Sequence, residues 1–226
     1  MKKFELTGEF VINIFGKKLF RIRALVAFGN VEAGELGGYV EKEENLSDDG
    51  NAWVFGDAQV FGDAQVFGDA QVFGDAWVSG DAWVSGNAWV SGNARVSGDA
   101  WVFGNAWVSG NAWVSGNARV FGDAQVSGDA QVSGDARVSG NARVFGDARV
   151  FGDADILQIT GLGTVHRTTT VFRTPDGIRI ACGCFFGDLD AFWAQVKNTR
   201  YGKVRREYLK FAELVEIYFG EDKEDE

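Results

Sequence analysis

Histidine, methionine and proline each occur once in 226 residues, and cysteine twice. One His excludes any site that draws two or three imidazoles from a single chain. Two Cys exclude a disulfide scaffold and a four-Cys zinc site. One Pro excludes a Pro-rich linker or a collagen-like chain. No apolar run reaches the roughly 18 residues of a membrane span. The start, Met1 to Glu9, turns polar and acidic before a signal-peptide core could form. The chain is therefore expected to be soluble and cytoplasmic, with reduced thiols.

Glycine is the residue in excess, with 31 copies. Such a content is often a mark of disorder, but 46% hydrophobic and 14% aromatic residues argue against it. The glycine is periodic. From Gly50 to Leu157 the chain is the hexapeptide Gly-[Asp/Asn]-Ala-x-Val-y written 18 times, with Ile156 the one departure from Val. A fixed short period means a solenoid. Val favours strands, and Ala and Val, two apart, share one side of a strand. That uniformly apolar side must face inward. Gly followed by Asp or Asn suits a tight corner.

The register of an aliphatic residue followed four positions later by a small one resembles the hexapeptide-repeat superfamily. That resemblance implies an all-β solenoid, the left-handed parallel β-helix, in which three hexapeptides make one triangular coil. Eighteen units would then make about six coils, a prism roughly 29 Å tall at about 4.8 Å per coil. Identical repeats leave register open, since a slip of six residues keeps every Val and Ala inside. End caps and the outward positions x and y must fix it.

Residues 18 apart are expected to stack. One face then carries Trp53, Gln71, Trp89, Trp107, Gln125 and Arg143 at x. The second carries Gln59, Trp77, Arg95, Trp113, Gln131 and Arg149, and the third Gln65, Trp83, Trp101, Arg119, Arg137 and Asp155. Seven Trp and eight Phe occupy outward positions of the repeats. Monomers seldom display so much apolar surface, so a partner is implied. Three readings stand: self-association through these faces, lateral stabilisation of the sheets, or a ligand platform for sugars or flat bases in which Arg119 beside Trp101 adds a cation. Trp83, Trp89, Trp101, Trp107, Trp113, Phe103 and Arg119 are the candidate interface or ligand residues. Superfamily members commonly pack prism faces into trimers, so the resemblance implies a homo-oligomer. The corners carry 11 Asp and 7 Asn. Each is expected to cap its own turn, with no metal bound.

The organisation reads as an N-terminal cap over residues 1–49, the β-helix over 50–157, a C-terminal α+β cap over 158–220, and a disordered acidic tail over 221–226. In the first cap, residues 9–14 and 19–25 flank Phe15-Gly16-Lys17-Lys18 as a β-hairpin. The lead-in Val31-x-Ala-Gly-x-x-Gly-Gly-Tyr-Val40, then Asn45-Leu46-Ser47, resembles a group of uncharacterised bacterial and phage hexapeptide proteins classed with acyltransferases. In the second cap, strands over 168–174 and 178–182 flank Pro175-Asp176-Gly177. Asp188 N-caps a helix to about Val196, and a second helix spans about 203–219, giving a ββαα unit. The repeats carry net charge −7 and the C-terminal cap +3. An acidic prism matches duplex nucleic acid poorly.

The resemblance implies, for the acyltransferases of the superfamily, a His base in a loop between coils near a subunit boundary, and for its carbonic anhydrases three metal-bound His. Here no His lies between Gly50 and Leu157 and no loop interrupts the units. His166, just after the prism, is the only imidazole available as a base. Cys182-Gly183-Cys184 is a weaker candidate, as a Cys–His pair or partial metal site. The expected function is a non-enzymatic structural or binding protein without cofactor. The alternatives are an acyl-coenzyme A-dependent transferase with its site near the C-terminal cap, and a small-molecule or glycan binder.

Overall fold

The computed structural model describes residues 1–220. The expected acidic tail, 221–226, lies outside them. Seventeen two-residue strands, from Trp53–Val54 to Arg149–Val150, build three parallel sheets with an 18-residue period. Trp89, for example, pairs with Gln71 on one side and Trp107 on the other, and Val90 with Val72 and Val108. The stacking expected from the sequence is thus the stacking found. Every Ala and Val from Ala52 to Val150 at the inward positions is fully buried.

The corner glycines from Gly50 to Gly146 hold φ between 58 and 75. Only Gly tolerates this without strain. Crowding adds to it: a Cβ on Gly98 would lie 3.0 Å from the Gly116 nitrogen of the next coil. Spacing between coils and backbone handedness at the corner therefore demand the same residue.

The eighteenth hexapeptide does not add the third side of the last coil. Gly152 has an extended backbone, Asp153–Asp155 forms a short 3-10 turn, and Ile156 opens a longer strand. The Asp155 carboxylate accepts from the Phe151 and Gly152 N–H groups, which ends the winding. Asp155 and Leu157 thus leave the third face. At the other end the solenoid begins before residue 50. β3 (Leu36–Val40) pairs in parallel with the strand at Gln59–Val60, and Leu46 bridges to Val66.

The hairpin β1 (Phe4–Ile12) and β2 (Lys18–Ala24) pairs antiparallel to β3 and extends the second face into a nine-stranded sheet. The C-terminal cap has two more strands than expected. Ile156–Leu162, Arg167–Thr174, Gly177–Cys182 and Phe185–Gly187 form an antiparallel meander under α1 (Leu189–Thr199) and α2 (Gly202–Phe219). Asp188 caps α1 as expected, accepting from the Ala191 N–H at 2.8 Å. Phe172 is fully buried and joins the prism core, closing its C-terminal end. No helix among the described residues is long and apolar enough to cross a membrane.

Most coil-to-coil hydrogen bonds run one way, while the Val N–H inside each parallel strand pair points back to the preceding coil. In each unit the N–H groups at x and y donate to carbonyls 17 residues later, as Trp89 N–H does to Ala106 and Ser91 N–H to Val108. The first coil is therefore left mainly with free acceptors and the last mainly with free donors. The first is met by donors. Lys3 Nζ donates to the Ala52 and Gly50 carbonyls at 2.9 and 3.2 Å, and Asn45 Nδ2 to Ala64 and Gly62 at 2.8 and 3.0 Å. The last is met by acceptors: Thr170 Oγ1 accepts from Arg143 N–H, as Asp155 does from Phe151.

Lys3 is only 3% exposed, and burial lowers its ammonium pKa to about 8. The unfolded chain keeps that proton up to about 10.5. Between these values the unfolded state binds more protons, so stability from this site is least below about pH 8 and rises with pH. The stability advantage of wild type over Lys3→Met, measured by denaturant unfolding, should grow across that window by up to about 3 kcal/mol. A difference independent of pH would contradict a buried, shifted Lys3.

Candidate functional site

The outward face residues form stacks along the prism axis. Trp83 and Trp101 lie 5.1 Å apart at an interplanar angle of 5°, and Trp89 and Trp107 5.1 Å apart at 1°. Phe103 meets the edge of Trp101 and stacks on Phe121 at 5.0 Å. Arg119 covers the Trp101 ring at 5.1 Å. On the second face Trp113 has no Trp neighbour; Arg95 lies between its ring and that of Trp77, 5.2 and 4.9 Å from the two. The period of one coil, about 4.8 Å, suits ring stacking without adjustment. Trp83, Trp89, Trp101, Trp107 and Trp113 remain between 37% and 48% exposed.

Trp53 differs from the other repeat Trp residues. It is fully buried, with Phe4 and Phe28 meeting its ring edge-on at 6.3 and 5.3 Å. The N-terminal segment covers that end of the first face. Likewise Phe15, at the hairpin tip, packs on Phe61 and Trp77. The open Trp surface of the repeats is therefore confined to the middle coils, with Phe151 exposed on the last. The Trp77–Arg95–Trp113 sandwich and the Phe103–Phe121 stack were legible from the 18-residue spacing, once aromatic and cationic residues are read down each face.

The corner residues act between coils. Asn87 Nδ2 donates to Asn105 Oδ1 at 3.0 Å, and Asn105 Nδ2 to Asp123 Oδ1 at 2.9 Å. Asn93, Asn111 and Asp129 repeat the arrangement on the next corner, and Asn117 donates to Asp135. The expectation that each corner side chain caps only its own turn is thereby corrected: an Asn relays a hydrogen bond to the coil above. Asp63, at a corner of the first coil, is paired with Lys42, which holds its carboxyl below the usual range. No group of metal-ligating side chains occurs among the described residues.

The cap candidates do not converge. His166 sits at φ 48 in the exposed turn before the strand Arg167–Thr174, its Nδ1 3.2 Å from the Gly161 carbonyl oxygen. Cys182 is half-buried; its sulfur accepts from Thr169 Oγ1 at 3.2 Å and lies 3.8 Å from the Tyr208 hydroxyl. Cys184 is exposed on the turn. Both thiols line a cleft of about 190 Å³, together with Arg167, Arg200, Tyr208, Phe185, Phe192, Val196 and Val204, but His166 does not. Burial, then the Cys182 thiol, pushes the Tyr208 hydroxyl up to about 12. Sequence reasoning missed Arg167, Arg200 and Tyr208, which come from a strand, an interhelix link and α2 without a shared motif.

The corner relay makes a specific prediction. Asn105→Asp removes the donor to Asp123 and sets two carboxylates one coil apart. Stability should fall by about 1–2 kcal/mol at low salt, and by less in 1 M NaCl, measured by denaturant unfolding. An unchanged midpoint would remove the relay from the account.

Four segments, residues 70–86, 88–103, 112–128 and 130–144, match the family model described as the YdcK beta solenoid repeat. All four lie within the coils. No curated protein matches the chain. With the parallel coils and the 18-residue ladder, these matches identify the chain as a β-helix repeat protein.

Proposed function

We propose that this chain is a non-enzymatic, rigid scaffold that associates with further copies of itself through its aromatic prism faces. The observation that carries this reading is the orientation of the rings. Trp83 and Trp101, and Trp89 and Trp107, lie nearly parallel on one another, and Arg119 covers Trp101. Ring faces are thus engaged along the axis. A sugar or a flat base needs a free ring face, so this arrangement favours a broad, shallow contact over a small-molecule platform. A partner face laid on it would withdraw the remaining exposed Trp area from water. One flat face is roughly 500 Å² by its dimensions, so two together approach the roughly 1,000 Å² of a specific interface.

The acyltransferase reading has less support. The resemblance would place a His between coils, whereas His166 lies in an exposed turn and outside the cap cleft. Association also agrees with the caps. Both prism ends are covered by donor- and acceptor-bearing cap groups, which leaves the sides rather than the ends for contact.

Light scattering at about 100 µM protein should give an integer multiple, two or more, of 24.6 kDa. The quadruple variant Trp83→Ser, Trp89→Ser, Trp101→Ser, Trp107→Ser should revert to the monomer while keeping its circular dichroism. A monomeric wild type would refute self-association. Acyl transfer from acetyl-coenzyme A that disappears in His166→Ala would favour the enzyme reading instead.

A further inference from the structure

The cap cleft has a composition that the prism reading does not use. Its floor is apolar, from Phe185, Phe192, Val196 and Val204. Its rim carries Arg167 and Arg200, and no carboxylate among the described residues lies within ion-pair distance of either. The nearby Glu207 is already engaged, accepting from Gly163 N–H and pairing with Lys203.

Two glycines let this wall form. A Cβ on Gly183 would lie 2.1 Å from Arg167 Nη1, so the guanidinium rests directly on the bare Cys182–Cys184 turn. A Cβ on Gly163 would lie 2.8 Å from the Tyr208 hydroxyl oxygen, so that ring is equally close to backbone. Gly183 and Gly163, both at positive φ, thus leave room for the Arg167 guanidinium and the Tyr208 ring against the backbone. Both arginines lie close enough to bias the Tyr208 hydroxyl electrostatically, which places the two cations and the phenolic donor around one space.

We propose that this cleft binds a small organic anion, with a carboxylate or phosphate head on Arg167 and Arg200 and an apolar tail against Phe185, Phe192 and Val204. Guanidinium forks present paired donors to either head group. Tyr208 stays protonated at neutral pH and adds a neutral donor. A space of about 190 Å³ admits a ligand of on the order of ten heavy atoms. For a ligand of that size, Kd should fall between about 50 µM and 1 mM.

The test uses the full chain with hexanoate, phenyl phosphate, inorganic phosphate and 1-hexanol as probes. Binding is read by calorimetry, and independently by the rate at which N-ethylmaleimide alkylates the exposed Cys184, followed by peptide mass spectrometry. Hexanoate or phenyl phosphate should bind and slow alkylation at least threefold, and the tighter of the two names the head group. Arg167→Gln and Arg200→Gln should each weaken binding at least tenfold, and Arg167→Lys less than Arg167→Gln. Circular dichroism confirms that each variant is folded. Inorganic phosphate binding as tightly as phenyl phosphate would overturn the apolar tail. Hexanol binding as tightly as hexanoate would overturn the anion site. Failure of both organic anions to bind or to slow alkylation at 10 mM would overturn the proposal outright, whatever the oligomeric state.

Discussion

The direction of the coil-to-coil hydrogen bond governs this structure. Each coil donates its x and y N–H groups to the carbonyls of the coil that follows it in sequence, against one Val N–H per unit that runs back within the parallel strand pair. A stack built this way has unlike ends, one richer in bare acceptors and the other richer in bare donors. Unpaired backbone groups are costly when buried, so each end needs a cap of opposite hydrogen-bonding character. The N-terminal segment brings donors, the Lys3 ammonium and the Asn45 amide, together with backbone N–H groups of Tyr39, Glu41 and Ser47. The C-terminal segment brings acceptors, the Thr170 hydroxyl and the Asp155 carboxylate.

The same constraint separates the roles of the outward residues. With core and backbone repeating identically, nothing inside distinguishes one register from the next. The side chains that differ between coils are the Asn relays at the corners and the aromatic and Arg stacks on the faces. Both act at an 18-residue spacing and link coil to coil, so both favour one register over its slips. Exposure of the Trp stacks is then a by-product of where register information can be stored. On the proposed reading, that by-product also serves as the contact surface between copies.

The prism was legible because its signal is periodic and local: Ala and Val two apart, Gly at the corner, and a stacking partner 18 residues away. Its ends were not, because their signals are long-range. Trp53 occupies the same repeat position as Trp89, and only Phe4 and Phe28, which lie far away in sequence, make it buried. Asp153-Ala154-Asp155-Ile156 fits the hexapeptide, yet Asp155 turns its carboxylate back on the chain and starts a new strand; an acidic residue at an otherwise neutral, aromatic or basic position was the available hint. Lys3 gave no hint at all, since a Lys near a chain start ordinarily reads as solvated. Of the candidate sites, the face residues fell where spacing put them. His166 and the two Cys did not come together, because a turn carries the imidazole away from the cleft that the thiols line.

Amide hydrogen exchange along the prism tests the dependence on end caps most directly. In Asn45→Ala, protection should fall first in the coil containing Gly62 and Ala64 and spread inward from the N-terminal end, with the coils near Thr170 unchanged. A loss of protection spread evenly over all coils, or none at the N-terminal end, would contradict a stack whose stability is set by donor and acceptor caps at its opposite ends.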